Sequence, residues 1–200
     1  EAEITYEFLQ RGAIGHAYQP IIAGGLASCT LHYVKNDAPL NKGDILLFDI
    51  GAEVQNYAAD ISRTFVYGAK PSTRQADVII AVTQAQREII ARLKPGQTWK
   101  ELAELSDEIV ATKLIDLGLL SKGYKKIDIR NYFPHSVSHF LGLDVHDVGD
   151  YLKPLAPGMV ITIEPGIYIS EESIGVRIED DVVITKNGAQ ILGSTANPLV

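Results

Sequence analysis

The stretch from Ser72 to Gly118 constrains this chain most, because it spells out two helices and the break between them. Ser72 is followed three residues on by Gln75, and Thr98 by Glu101. In this spacing the hydroxyl and the longer side chain satisfy two orphan backbone N–H groups, so each pair starts a helix. Val78, Ile79, Val82, Ile89 and Leu93 then recur at helical spacing, as do Leu102, Leu105, Ile109 and Leu117. Pro95-Gly96 stops the first helix and Gly118 the second. Both flanks read as β. Upstream lie loop signals at Gly24-Gly25 and Asn36-Asp37, a buried strand at 45–48 running into Asp49-Ile50-Gly51, and strands at 54–57 and 61–67. Downstream come strands at 159–163, 166–169 and 174–184, a turn at Asn187-Gly188 and a last strand at 190–192. Residues 1–9 form a further helix without a cap. Two helices on one face of a curved, mostly antiparallel sheet make an α+β fold.

The 200 residues suit one domain, 1–200, with a core that needs no staples. The single cysteine, Cys29, excludes an internal disulfide and a Cys-built zinc site. The 25 acidic residues outnumber the 18 basic ones, giving −7, which speaks against a nucleic-acid partner. The best apolar run, 159–163, is far short of the ~18 residues of a membrane span. The chain begins at Glu1 in an uncapped helix and has no signal-peptide pattern. The expectation is therefore a domain excised from a longer chain, missing its N-terminal part and the start of its first helix.

Each β half carries two acids in apolar surroundings: Asp49 and Asp60 in the first, Glu164 and Glu179 in the second. Taken singly, Asp49 reads as a turn carboxylate and Asp60 as a partner for Arg63. Glu179 singly reads as a ladder partner for Arg177. Glu164 is harder to explain so, because it interrupts Met159-Val160-Ile161-Thr162-Ile163 and precedes Pro165-Gly166. Three histidines, His135, His139 and His146, fall within twelve residues of a turn-rich segment, and His32 lies upstream. His16 reads as an ordinary structural histidine. Four carboxylates in one pocket protonate unless cations neutralise them. Two divalent ions with one neutral imidazole balance the set. Oxygen-rich, thiolate-free ligands suit Mn²⁺, Mg²⁺ or Co²⁺. Such a pair lowers the pKa of a water and polarises a carbonyl, which points to hydrolysis of an amide or a phosphate ester.

Leu31-His32-Tyr33, Phe48-Asp49-Ile50-Gly51, Ala59-Asp60-Ile61-Ser62-Arg63-Thr64, Ser138-His139 through His146-Asp147-Val148-Gly149, Glu164-Pro165-Gly166 and Val176-Arg177-Ile178-Glu179 occur in one order. In this the chain resembles the creatinase/aminopeptidase, or pita-bread, metallopeptidases. Within that family it is most similar to the catalytic domains of Xaa-Pro aminopeptidases (aminopeptidase P) and prolidases. The resemblance implies a pita-bread fold with pseudo-twofold halves and two divalent ions per chain: Mn²⁺ first, with Co²⁺, Zn²⁺ or Fe²⁺ as alternatives. Asp49 would hold one ion, His139 and Glu164 the other, and Asp60 and Glu179 both. It further implies that His32 and His146 contact substrate and the oxyanion, and that His135 lines the pocket after the scissile bond. Tyr168 and Arg177 would orient ligands, and Glu164 would shuttle a proton. The implied partner is a peptide with proline in second position. The implied setting is cytoplasmic, with a homo-oligomeric full-length parent. The short link from Gly166 to Val176 favours the aminopeptidase over prolidase. Methionine aminopeptidase shares the five ligands, and a metal-free binding module is the non-enzymatic rival.

Overall fold

Both capping boxes form. In the computed structural model, which describes residues 1–193, Ser72 Oγ accepts from Gln75 N at 3.2 Å and Gln75 Oε1 from Ser72 N at 2.9 Å. Thr98 and Glu101 repeat the exchange at 3.1 and 2.7 Å. After α1 (Ala2–Gln10), the chain runs through β1 (Gly15–His16), β2 (Ile21–Gly24), β3 (Ile45–Ile50), β4 (Ala52–Val54), β5 (Tyr57–Ala58) and β6 (Ile61–Val66). Then come α2 (Thr73–Arg92), α3 (Trp99–Asp116), β7 (Val160–Ile163), β8 (Gly166–Ile169), β9 (Ile174–Arg177), β10 (Asp180–Ile184) and β11 (Ala189–Ile191).

Among the described residues every strand pairing is antiparallel, distributed over four small sheets: β1-β4-β5, β2-β3-β6, β7-β10-β11 and β8-β9. The apolar stripes of α2 and α3 pack on the second β half. Val78, Val82, Ile89, Leu102, Ile109 and Leu114 share one core with Ile161, Ile163, Val176 and Val182. Each such side chain contributes about 1.5–3 kcal/mol on burial. By contrast α1 has no buried residue. His16 binds Thr5 Oγ1 at 2.8 Å and stacks on Phe8, so it ties α1 to β1 and stays out of the site.

Two expected strands are corrected. Residues 54–57 are not one strand but a two-residue hairpin turn between β4 and β5, with Gln55 and Asn56 both at positive φ (53° and 65°). Such a turn matches the strand twist. It was hard to read because Gln55 is not a glycine. The 174–184 run breaks at Ile178-Glu179. Before the break β9 pairs with β8, and after it β10 pairs with β7. At the break the backbone bonds elsewhere, Ile178 N to Pro165 O and Glu179 N to Ser62 O. The apolar run hides this change of partner. Strands β1 and β2 had no expectation attached to them.

Candidate metal centre

Each β half presents its two acids at one end of an antiparallel strand pair. In β3 and β6, Ile50 lies opposite Ile61 and Asp49 opposite Ser62, so Asp60 sits just before β6. In β7 and β10, Ile163 lies opposite Asp180, so Glu164 follows one strand and Glu179 precedes the other. The halves meet along β6. Thr64 Oγ1 donates to Arg177 O and accepts from Arg177 N, and Asp60 N donates to Asp181 Oδ2. This junction brings all four acids onto one cavity of 390 Å³, shared with His32, His135, His139, His146 and Arg177. Gly51 is required here, because a Cβ would run into Ala59 O and the Tyr18 ring.

His139 enters from the irregular chain beside β7. Thr162 N donates to His139 O and Glu164 N to Val137 O, which fixes His139 next to Glu164. Its Nδ1 lies 3.0 Å from Phe140 O, so the proton is placed there and Nε2 is left with its lone pair. That Nε2 is 3.4 Å from both Asp60 Oδ2 and Glu164 Oε1. Asp60, His139 and Glu179 each offer a ligand atom, all within 4.8 Å of one another. Asp49 and Glu164 flank this trio. Asp49 Oδ2 takes Arg177 Nη2 at 2.6 Å, and Glu164 Oε1 takes Thr162 Oγ1 at 3.2 Å. Hard oxygens with one accepting imidazole are a donor set that fits divalent ions.

The electrostatics agree. Burial raises Glu164 to about 7, against the pull of His139 and Arg177. Burial, with Asp60 and Glu164 beside it, raises Glu179 well above the carboxylate range. Asp49 is raised by burial, with Arg177 opposing. Burial pulls His139 down, but Asp60 and Glu164 outweigh it and its pKa is raised. Burial, then Arg177, lowers His135 to about 4, and burial, then His139, lowers His146. The crowded acids thus resist ionising here, with Arg177 and His139 opposing the rise at Glu164.

Tyr168, outside the cavity lining, donates no contact to the acids. Its hydroxyl joins His135 Nε2 at 2.9 Å and Arg177 Nη1 at 2.8 Å. One of the singly weighed pairings is replaced, and the other forms, though on a buried face. Arg63 pairs with Asp180, not Asp60, and Arg177 Nε stands 3.9 Å from Glu179 while its Nη2 holds Asp49. Three supporting groups had gone unread. Tyr18 donates into both Asp49 Oδ1 at 2.5 Å and Asp60 Oδ1 at 2.6 Å. No motif marks it; the apolar run at 21–23 signals only that a strand follows. Ser62 Oγ donates to Glu179 Oε2 at 2.6 Å and accepts from Arg177 Nε at 2.8 Å. The alternation Ile61-Ser62-Arg63-Thr64 carried that signal, since Ser62 and Thr64 share one face. Thr162 sits likewise within an apolar strand.

Known proteins supply the context. The signature of metallopeptidase family M24 matches residues 1–186. The chain is 42% identical to the Xaa-Pro aminopeptidase of Haemophilus influenzae, over 96% of this chain and 48% of that protein. It superposes on Pseudomonas aeruginosa aminopeptidase PepP with a TM-score of 0.89 at 39% identity, covering 96% of this chain and 47% of the other. It superposes on Escherichia coli aminopeptidase P, solved with the inhibitor Pro-Leu, with a TM-score of 0.88 at 36% identity, covering 96% and 47%. The chain thus spans about half the length of the curated relatives it matches. Its α+β architecture is the pita-bread fold of those aminopeptidase domains. With paired acids, an accepting imidazole and this likeness in one chain, it belongs to metallopeptidase family M24.

Proposed function

We propose that this chain is the catalytic part of an Xaa-Pro aminopeptidase, which releases the N-terminal residue from peptides with proline in second position. What carries the reading is the single cavity lined by four acids, His139 and the three histidines His32, His135 and His146. Asp49, Asp60, His139, Glu164 and Glu179 would hold two divalent ions, Mn²⁺ by the hardness of the set. Bound there, the ions supply a water of lowered pKa and a polarised scissile carbonyl.

The rest falls to the side chains. The acidic cavity favours the free ammonium of a peptide N-terminus. His135 is half-buried, uncharged in the neutral range and edge-on to Phe133 and Tyr168, so it offers an apolar flank to the pyrrolidine ring. Its Nε2 meets the Tyr168 hydroxyl, which fixes the ring's orientation. His146 is exposed at the mouth and stands edge-on to His139, 4.4 Å between centroids. Its imidazole donates to the oxyanion. Glu164, at the edge of the acid cluster, would take the water's proton and return it to the leaving nitrogen. The bond before proline needs that protonation, because its nitrogen carries no hydrogen and the preceding residue is held extended.

With this reading go a cytoplasmic location and a homo-oligomeric full-length protein. Among the described residues no helix is long and apolar enough to cross a membrane. The test is a Mn²⁺ titration of the full-length protein with Ala-Pro, Ala-Pro-Ala and Met-Ala-Ala in parallel. The expected result is Mn²⁺-stimulated release of alanine from Ala-Pro-Ala. Cleavage of Met-Ala-Ala with both proline peptides intact would assign methionine aminopeptidase instead. Cleavage of Ala-Pro alone would assign prolidase.

A further inference from the structure

Glu179 is assigned to both ions, yet it sits where the strand ladder changes partner, at the break between β9 and β10. Its carboxylate is held by Ser62 Oγ at 2.6 Å. Its main chain is held by the next residue of β6. Ser62 and Arg63 are neighbours on that strand, so their side chains leave it on opposite faces. The Arg63 guanidinium reaches the break. Its Nη1 donates to Glu179 O at 2.5 Å and to Ser62 O at 2.9 Å, and its Nη2 to Asp180 Oδ1 at 2.6 Å. Ser62 O also accepts from Glu179 N at 3.1 Å. Asp180 Oδ2 takes Gln86 Nε2, from α2, at 2.6 Å.

The residue types suit a clamp. Asp180 is 5% exposed and Gln86 3%, and polar groups buried this far are costly unless bonded. Each finds its partner within this one group. A guanidinium is a planar fork of donors in fixed geometry, whereas an ammonium is a single point of charge. One fork therefore fixes three acceptors on two strands, and α2 fixes the carboxylate that orients the fork. A carboxylate shared by two ions has to keep its place within about 0.5 Å.

We propose that Arg63, oriented by Asp180 and Gln86, is a positioning residue for Glu179, fixing the broken strand so that the carboxylate stays between the two ions. The inference rests on the two-ion reading. It goes beyond that reading by naming groups that touch neither ion nor substrate.

The test uses the full-length protein titrated with Mn²⁺, followed by calorimetry and by electron paramagnetic resonance. Two Mn²⁺ ions that share carboxylates couple magnetically, and a lone Mn²⁺ gives a six-line spectrum. Arg63→Lys keeps the charge opposite Asp180 and loses the fork. Asp180→Asn loses the charge and keeps an oxygen for Arg63, and the Gln86 amide can turn to meet the new amide. Gln86→Leu leaves the fork and frees Asp180 from α2. In Arg63→Lys the second Mn²⁺ should bind about tenfold or more weaker, the scale of losing a partner behind a metal ligand, and six lines should replace the coupled spectrum. Gln86→Leu should weaken the second ion less, and Asp180→Asn should keep the coupled spectrum. Parent-like affinity and coupling in Arg63→Lys overturn the clamp and leave the two-ion reading standing. Equal loss in Asp180→Asn overturns it as well, because charge and not the fork would then be the cause. If melting of the metal-free protein shows that Arg63→Lys does not fold, Gln86→Leu decides, and parent-like affinity there overturns the clamp. A parent without a coupled pair overturns both readings.

Discussion

The first and second β halves both hold two acids at the end of a strand pair, yet support them differently. Asp49 and Asp60 share one phenol, that of Tyr18, and Asp49 also takes a guanidinium. Glu164 and Glu179 have separate hydroxyls, Thr162 and Ser62, and the Ser62 hydroxyl comes from the other half. The surroundings differ too. β8 and β9 are buried along their whole length beneath α2 and α3. The outward face of β3 and β6 instead leaves Phe48, Ile50, Ile61 and Phe65 half-buried around a shallow apolar hollow near Ile4. Bringing acids to one cavity therefore does not require equal burial of the two halves. The second half is the more deeply buried, and the first half is tied to it through Thr64, Ser62 and Arg177.

The largest effect should come from the acids assigned to both ions. Asp60→Asn in the first half and Glu179→Gln in the second should each abolish Mn²⁺ binding at both sites together, read by calorimetry. Two full sites remaining in either variant would refute the shared-ligand assignment. Next is packing. Ile163→Ala, at a fully buried position, should cost about 2–5 kcal/mol, whereas Ile50→Ala on the half-buried face should cost roughly 1–2 kcal/mol. Denaturant titration compares them, and equal losses would erase the asymmetry between the halves.

The third effect is pH-dependent. The folded chain without metal holds Glu164 at about 7 against an ordinary 4.5, and Asp181 at about 7 against 3.8, both raised chiefly by burial. A raised acid binds its proton more tightly when folded, so its contribution is full below the unfolded pKa and is lost as pH rises towards 7. At 1.36 kcal/mol per unit, Glu164 alone accounts for about 3 kcal/mol between pH 4 and 7. Melting curves of the metal-free chain should show this fall, and the Mn²⁺-loaded chain should not. Glu164→Gln should flatten the slope more than Asp49→Asn, whose acid is partly answered by Arg177. The smallest effect is in ligand support. Tyr18→Phe should weaken Mn²⁺ binding about tenfold, the low end for losing such a partner. Thr162→Val, which loses two longer bonds, one given to Glu164 and one accepted from His139 N, should weaken it less. Reversal of that order would mean the phenol is not what holds the first pair.

Much of this molecule was legible along the chain. Both capping boxes formed because N-cap and third-position side chains answer each other over one turn, a purely local exchange. The acids stood out because an ionisable group beside an apolar strand has no cheap solitary state, and His139 through the clustering of three histidines and the family resemblance. Tyr18 did not stand out, since a phenol reaching across 31 and 42 residues leaves no periodic trace. The break at Ile178-Glu179 was invisible because both strands it joins are buried on both faces and read as one apolar run.

The sequence by itself determined the element types, the α+β order and the residue kinds that demand a cation, because capping, periodicity and the cost of an unpaired charge act within a few residues. Only the tertiary structure decided that β6 lies against β9 and β10. That contact carries Ser62 to Glu179, Arg177 to Asp49 and Asp60 to His139. Such pairings are chosen by the packing of whole strands and helices into one core, and no stretch of chain short enough to read locally contains that choice.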